Sequence, residues 1–426
     1  MAVPVSSPVS SASAATSTET PRYTSALSSL TVLFFMMGFI TCLNDILIPY
    51  LKAIFSLSYT QANLINLCFF GAYFLVGVPA GLVVKRLGYK WGMLLGFLVA
   101  ALGCFLFFPA ADSRTFALFL GALFVLASGI VTLQVAGNPY VAVLGPPETA
   151  SSRLTLTQAF NSLATFVAPL LGSALILSNL PDLQQLTPAQ TASLDVSSVQ
   201  RLYLGIGGVL VLISGLLALL KLPRISHAPA QAGDTRRAWH YRHLVLGLVG
   251  IFTYVGAEVA IGSHIVSYLG QADVMNMSPK VAGYQVSFYW GAAMVGRFIG
   301  IGVLRRLRPA RVLTVTAMGA VLLVLVSINT TGSVSMWSLL AVGLMNSVMF
   351  PIIFTLAVAG LGRHTEDASG MLSAAIVGGA VVPMLFGIVA DASSLRWALV
   401  LPILCYLYIV WYGLRGHRPE PAAPAA

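Results

Sequence analysis

The chain has 426 residues, 58% apolar and only 8% charged, where an ordinary soluble domain carries about 25% charge. So little charge cannot cover the surface of a water-soluble protein of this length. The net charge of +10 is scattered over short connections, which argues against a nucleic-acid-binding surface and for basic residues that report membrane orientation.

Residues 1–26 are rich in Ser, Ala, Thr and Pro and lack an apolar core with a cleavage site, so a disordered tail is expected there. A helix needs about 20 apolar residues to cross the hydrocarbon. Twelve stretches qualify: 27–51, 61–84, 91–111, 115–143, 155–178, 201–222, 243–269, 281–304, 311–330, 335–361, 371–390 and 396–415. The first carries Asn44 and Asp45. A carboxylate in a span costs at least roughly 2.5–3.5 kcal/mol, so it belongs in a wet cavity and is a candidate to carry a coupling ion. The second ends on Lys85 and Arg86. The fourth places Gln134 and Asn138 on one face ahead of Pro139, and the fifth does the same with Gln158 and Asn161. The seventh holds Glu258, offset by 213 from Asp45, and His264, which is read as structural. The eighth holds Gln285, Tyr289 and Trp290 on its way to Arg297, Arg305 and Arg306. Arg297 is close enough to its basic end to snorkel. It is therefore expected to serve structure or gating, with Lys85, Arg86, Arg305 and Arg306. The tenth carries Asn346. Amides donate and accept together, as sugar hydroxyls do. Cys42, Cys68, Cys104 and Cys405 lie in apolar runs without CxxC spacing and read as core residues, not metal ligands or disulfides.

With even crossing, one set of loops and tails collects 17 basic residues and the other only five, Lys52, Arg114, Arg201, Lys280 and Arg396. The first set is assigned to the cytoplasm, with both termini. The basic connection 223–242 splits the chain six helices plus six, and the halves resemble each other. GAYFLVGVPAGLVVKRL at 71–87 aligns without gaps to GAAMVGRFIGIGVLRRL at 291–307. ETASSRL at 148–154 pairs with EDASGML at 366–372, and the Pro139 region with Pro351. The expected fold is an all-α integral membrane protein of the major facilitator type, with twelve transmembrane helices in two pseudo-symmetric halves. Its parts are a tail 1–26, a bundle 27–222, a cytoplasmic linker 223–242, a bundle 243–415 and a tail 416–426.

FITCLNDILIPYLKAIF (39–55), GVPAGLVVKRLGYKWG (77–92), TLQVAGNPYVAVLGP (132–146) and RLTLTQAFNSLATFVAPLLGSALILS (153–178) resemble the fucose/galactose/glucose:proton symporter family, a branch of the major facilitator superfamily. YVGAEVAIGSHIVSYL (254–269) and GRFIG (296–300) extend the likeness into the second half. The resemblance implies a sugar entering with a coupling ion, a proton or in some members sodium. It carries the helix-1 aspartate of the family onto Asp45, with Asn44 beside it. Fucose permeases have a helix-4 glutamate where this chain has Gln134. The glucose/galactose branch is more similar and has a helix-7 acid matching Glu258. Gln158 and Asn161 fall in the TQAFNS block and are implied to line the sugar cavity. The KRLGYK turn lacks the aspartate of the general superfamily signature, so the usual gating salt bridge at this turn is not expected.

The leading expectation is import of D-glucose or D-galactose by proton symport, with Asp45 and Glu258 coupling the ion. Asn44, Gln134, Asn138, Gln158, Asn161, Gln285, Tyr289 and Asn346 are expected to hold the sugar. An L-fucose symporter and a sodium-coupled symporter are the alternatives, followed by a drug exporter and a sugar receptor. No HExxH, GxSxG or paired His/Cys motif suggests an enzyme. No cofactor is expected, and the partners are a sugar and the lipid bilayer, for a monomer in a bacterial inner membrane.

Overall fold

Short connections set the geometry of this chain. Gly88 sits alone between two long helices at φ 83°, a left-handed turn that a residue with a Cβ adopts at a cost. Pro279 and Pro309 stand at first helical positions, where a missing N–H breaks no helical bond. The computed structural model describes residues 26–39, 59–113, 115–175, 197–220, 222–223 and 237–419. In chain order the helices are α1 Ala26–Phe39, α2 Tyr59–Leu87, α3 Tyr89–Asp112, α4 Phe116–Val143, α5 Ala150–Leu175 and α6 Ser197–Leu219. They continue as α7 Arg242–Leu269, α8 Pro279–Leu304, α9 Pro309–Asn329, and then α10 Gly332–Ala357, α11 Gly362–Ala392 and α12 Leu395–Gly416. Among the described residues nine of these, α2 to α4 and α7 to α12, are long and apolar enough to cross a membrane.

Three expected boundaries are corrected. α5 begins at Ala150 and not at 155, because Arg153 folds back onto the carbonyls of Val141, Ala142 and Pro146 and lets a polar first turn form. α11 starts well before 371. Glu366 and Asp367 occupy the first turn of its α-helical part, where acids complement the helix dipole. α10 is interrupted at Ser347–Val348, between Gly332–Asn346 and Met349–Ala357. Residues 1–25 of the expected tail 1–26, the end of the first span with Asn44 and Asp45, and most of the linker lie outside the described residues.

In the first half α3 packs on α4 and α6, and α2 on α4. In the second α7 packs on α11 and α12, and α10 on α8 and α9. Small residues permit the closest approaches: a Cβ added to Gly129 would lie 2.3 Å from Ala100 N, and one added to Gly378 2.1 Å from Phe252 O. Outward-facing apolar side chains such as Leu75, Val315 and Met384 form the lipid-exposed belt that a membrane fold requires. Cys104 and Cys405 are buried, and Cys68 directs its Sγ at the Leu120 carbonyl.

The halves meet along two seams, α2 against α11 and α5 against α8, with α4 touching α11 and α5 touching the last part of α10. Exchanging the repeats turns one seam into the other, since α2 corresponds to α8 and α5 to α11.

Candidate functional site

A polar cluster in the second half is built on Glu258. This acid lies sixteen residues into α7, about 24 Å from the basic end at 1.5 Å per residue, and is 8% exposed. Tyr254, one turn earlier, donates its hydroxyl to Glu258 Oε1 at 2.8 Å. The same hydroxyl lies 3.2 Å from the backbone carbonyl of Asn346 on α10. Tyr289 on α8 donates to the Glu258 carbonyl at 3.1 Å and accepts from Asn346 Nδ2 at 2.8 Å. Tyr406 on α12 is fully buried and interacts electrostatically with Glu258, and its hydroxyl has no hydrogen-bond partner among the described residues. The Oδ1 of Asn346 has no partner among the described residues. Gln285, one turn before Tyr289, is half-buried. His264 bonds to the Ala260 carbonyl and lies against the Phe386 ring.

The first half repeats the pairing of amide and phenol. Gln134 Nε2 on α4 donates to the Tyr73 hydroxyl on α2 at 2.9 Å, as Asn346 on α10 donates to Tyr289 on α8. Gln134 is half-buried, whereas Asn138 is fully buried and its Nδ2 has no partner among the described residues. Gln158 Nε2 is 3.5 Å from Asn138 Oδ1. Asn161 spends its amide on the Phe34 carbonyl at 2.9 Å and so ties α5 to α1. Asn44 and Asp45 lie outside the described residues.

Between the clusters runs Arg297. Its Nε donates to the Ser347 carbonyl on α10 at 3.2 Å, and its Nη1 reaches Ser162 Oγ on α5 and the Gln158 carbonyl at 3.5 Å. It also interacts electrostatically with Glu258. Arg297 thus joins the second-half acid to the first half.

The bonds between halves found among the described residues cluster toward the basic face. Ser151 and Thr355 hydroxyls meet at 2.6 Å, Ser152 donates to Ile301 O at 2.9 Å, and Ser369 donates to Val135 O at 2.9 Å. At the surface Lys85 pairs with Asp367 at 2.5 Å, with His364 Nδ1 3.7 Å from the same oxygen. This ion pair gives the KRLGYK turn a bridge although the signature aspartate is missing from it. The acid is supplied by α11, from the opposite half. Arg86, Arg305 and Arg306 are exposed on the same face. The neighbouring Glu366 is buried and interacts with Tyr89 of α3.

The profile of the Major Facilitator Superfamily matches residues 29–375. The chain belongs to the major facilitator superfamily. Its members are transporters and not enzymes, and the chain is a multi-pass sugar transporter of this family. It is 52% identical over 399 residues to a glucose/galactose transporter of Brucella abortus biovar 1, covering 93% of this chain and 95% of that one. It is 34% identical to the L-fucose-proton symporter of Escherichia coli K12, over 88% and 90% of the two chains. The crystal structure of the transporter FucP in the outward conformation superposes with a TM-score of 0.85 at 33% identity, covering 92% of this chain and 98% of that one.

Sequence reasoning missed Tyr73, Tyr254, Tyr406 and the Lys85–Asp367 pair. Tyr254 carried a usable signal, since a phenol four residues before an intramembrane acid shares its helix face. Tyr73 and Tyr406 are aromatic residues in apolar runs and carried none.

Proposed function

We propose that the protein imports a hexose, D-glucose or D-galactose, with a proton across a bacterial inner membrane by alternating access between its two halves. The bundles are residues 27–222 and 243–415, the sugar sits between them, and both termini are cytoplasmic. The observation that carries this reading is Glu258, an acid enclosed mid-span by Tyr254, Tyr289, Tyr406 and Asn346 and linked through Arg297 to the opposite half. An acid kept at such a depth is there to change charge, because a purely structural residue achieves the same bonds without the desolvation cost. The second support is the similarity to glucose/galactose transporters.

Asp45 is the first coupling residue and Glu258 the second. Gln134, Asn138, Gln158 and Asn161 offer the sugar amides from the first half, with Asn44 beside Asp45. Gln285, Tyr289 and Asn346 offer polar groups from the second. The closed seams on the basic face are the closed inner gate, so the conformation described is the one that loads from outside. No cofactor takes part, the coupling ion being the proton, and the working unit is the monomer.

The test is uptake in reconstituted vesicles across a panel of sugars, at several pH values, with and without sodium. Galactose and glucose are expected to compete, and an imposed proton gradient to drive accumulation. Asp45→Asn and Glu258→Gln are each expected to keep sugar exchange and lose gradient-driven accumulation. Preferential inhibition by fucose would reassign the substrate, and uptake that needs sodium but ignores pH would reassign the ion.

A further inference from the structure

We propose that Tyr254 is a hydrogen-bond switch that reports the protonation of Glu258 to the interruption in α10; the inference rests on the proton-coupled reading above. The phenol has one proton and two acceptors in reach, Glu258 Oε1 at 2.8 Å and the Asn346 carbonyl at 3.2 Å. The neighbouring Tyr289 has no such choice. Tyr289 commits its proton to the Glu258 carbonyl and its oxygen to Asn346 Nδ2.

The second acceptor exists because α10 is broken. In a continuous helix the Asn346 carbonyl would accept from the amide four residues on. The interruption at Ser347–Val348 frees the carbonyl of Asn346, and Pro351, which has no N–H, leaves that of Ser347 without a helical donor. One faces Tyr254 and the other is taken by Arg297 Nε. A buried carbonyl left without a donor is costly, so the proton of Tyr254 is contested.

The contest turns on the charge of Glu258. As a carboxylate it holds the phenol proton, because a hydrogen bond to a charged acceptor is about twice as strong as a neutral one. Once Glu258 binds a proton, its own O–H can donate to the phenol oxygen, and the phenol hydroxyl rotates to the Asn346 carbonyl. No covalent bond other than the Glu258 O–H forms, and the phenol keeps its proton. Arg297 then faces a neutral acid and rests on Ser347, Ser162 and Gln158, which holds α10 and α8 to α5. Deprotonation draws both Tyr254 and Arg297 toward the carboxylate and loosens that contact. The titratable and charged groups around Glu258 are Tyr254 on its own helix, Tyr289 and Arg297 on α8 and Tyr406 on α12. Of these, Tyr254 alone touches both the carboxylate and the freed carbonyl.

Tyr254→Phe removes the switch and leaves Glu258, Tyr289 and Arg297 in place. In proteoliposomes it is expected to lose accumulation driven by a pH gradient while losing proportionally far less of its sugar counterflow. Infrared difference spectra between acid and neutral buffer should contain a protonated-carboxyl stretch that is absent in Glu258→Gln. In Tyr254→Phe that stretch should move to higher frequency, because its hydrogen-bond partner is gone. Full accumulation by Tyr254→Phe, beside uncoupled Glu258→Gln, would overturn the switch and leave proton coupling at Glu258 intact. Full accumulation by Glu258→Gln would overturn the coupling role of Glu258 itself. A parallel loss of counterflow and accumulation in Tyr254→Phe, with the carboxyl stretch unmoved, would make Tyr254 structural and would also overturn the proposal.

Discussion

The two amide–phenol pairs have the same chemistry and different surroundings, which gives them different energetic weight. Asn346 and Tyr289 are fully buried, so Tyr289→Phe strands the Asn346 amide, while the Glu258 carbonyl keeps its helical bond and loses only its second one. The expected cost is about 1–3 kcal/mol, read as a lower Tm in detergent and weaker sugar binding by calorimetry. Gln134 is half-buried and can return its amide to water, so Tyr73→Phe should cost only about 0.5–1.5 kcal/mol. Equal losses in the two variants would mean that burial does not set the difference. Glu258 was legible in the sequence because a charge in an apolar run stands out by its cost. Tyr289 was legible through its spacing from Gln285, and Tyr254 had a signal in its spacing from Glu258, but Tyr406 had none, since a phenol in an apolar run looks the same whether its hydroxyl is used or idle.

Helix ends and helix contacts divide the same way. The apolar cores of all twelve helices could be read from composition, but polar first turns could not, because Glu366 and Asp367 look like loop until α11 is seen to begin ahead of them. The interruption of α10 has its signal in Pro351, four residues after Ser347, whose ring crowds the Ser347 carbonyl and which offers it no N–H. Lys85 was legible as a gate candidate and its partner was not, because the pairing joins residues 282 apart. The Lys85 side chain is 41% exposed, so this bond is a weak latch. Asp367→Asn should shift the balance toward an open basic face by at most about fivefold, the equivalent of about 1 kcal/mol. Spin-label distances between α2 and α11 would measure it. Gly370→Val should act more strongly, since even its Cβ would lie 2.6 Å from Gly77 O with no flexible side chain to yield. The same distances should lengthen, with transport lost and expression retained.

At the scale of the molecule, the internal repeat turns out to mark the places where the halves touch. Residues 71–87 and 291–307 supply one side of each seam, and 148–154 and 366–372 supply the other. Ser151 and Ser369 are equivalent positions, and each bonds across the interface, to α10 and to α4. Ser151 and Thr355 are close enough for a double cysteine variant to cross-link the closed basic face. Oxidation should stop sugar uptake and a reducing agent should restore it; uptake that survives complete cross-linking would show that this face need not open.

The seams are related by the repeat but made of different material. Where Gly81 meets Gly370 backbone to backbone, the equivalent pair is Ile301 and Ser152, joined by a hydroxyl on a carbonyl. Where Lys85 faces Asp367, the equivalent residues are Arg305 and the uncharged Thr149. This difference sets how freely each seam can vary in evolution. A residue larger than Gly at 81 or 370 needs a compensating change in the opposing backbone path, which no single substitution supplies. A change at Ser152 forfeits one hydrogen bond and leaves the helices where they are. The glycine seam is therefore nearly closed to stepwise change and the serine seam open to it, so two halves that began as copies drift at unequal rates along the line where they must still fit.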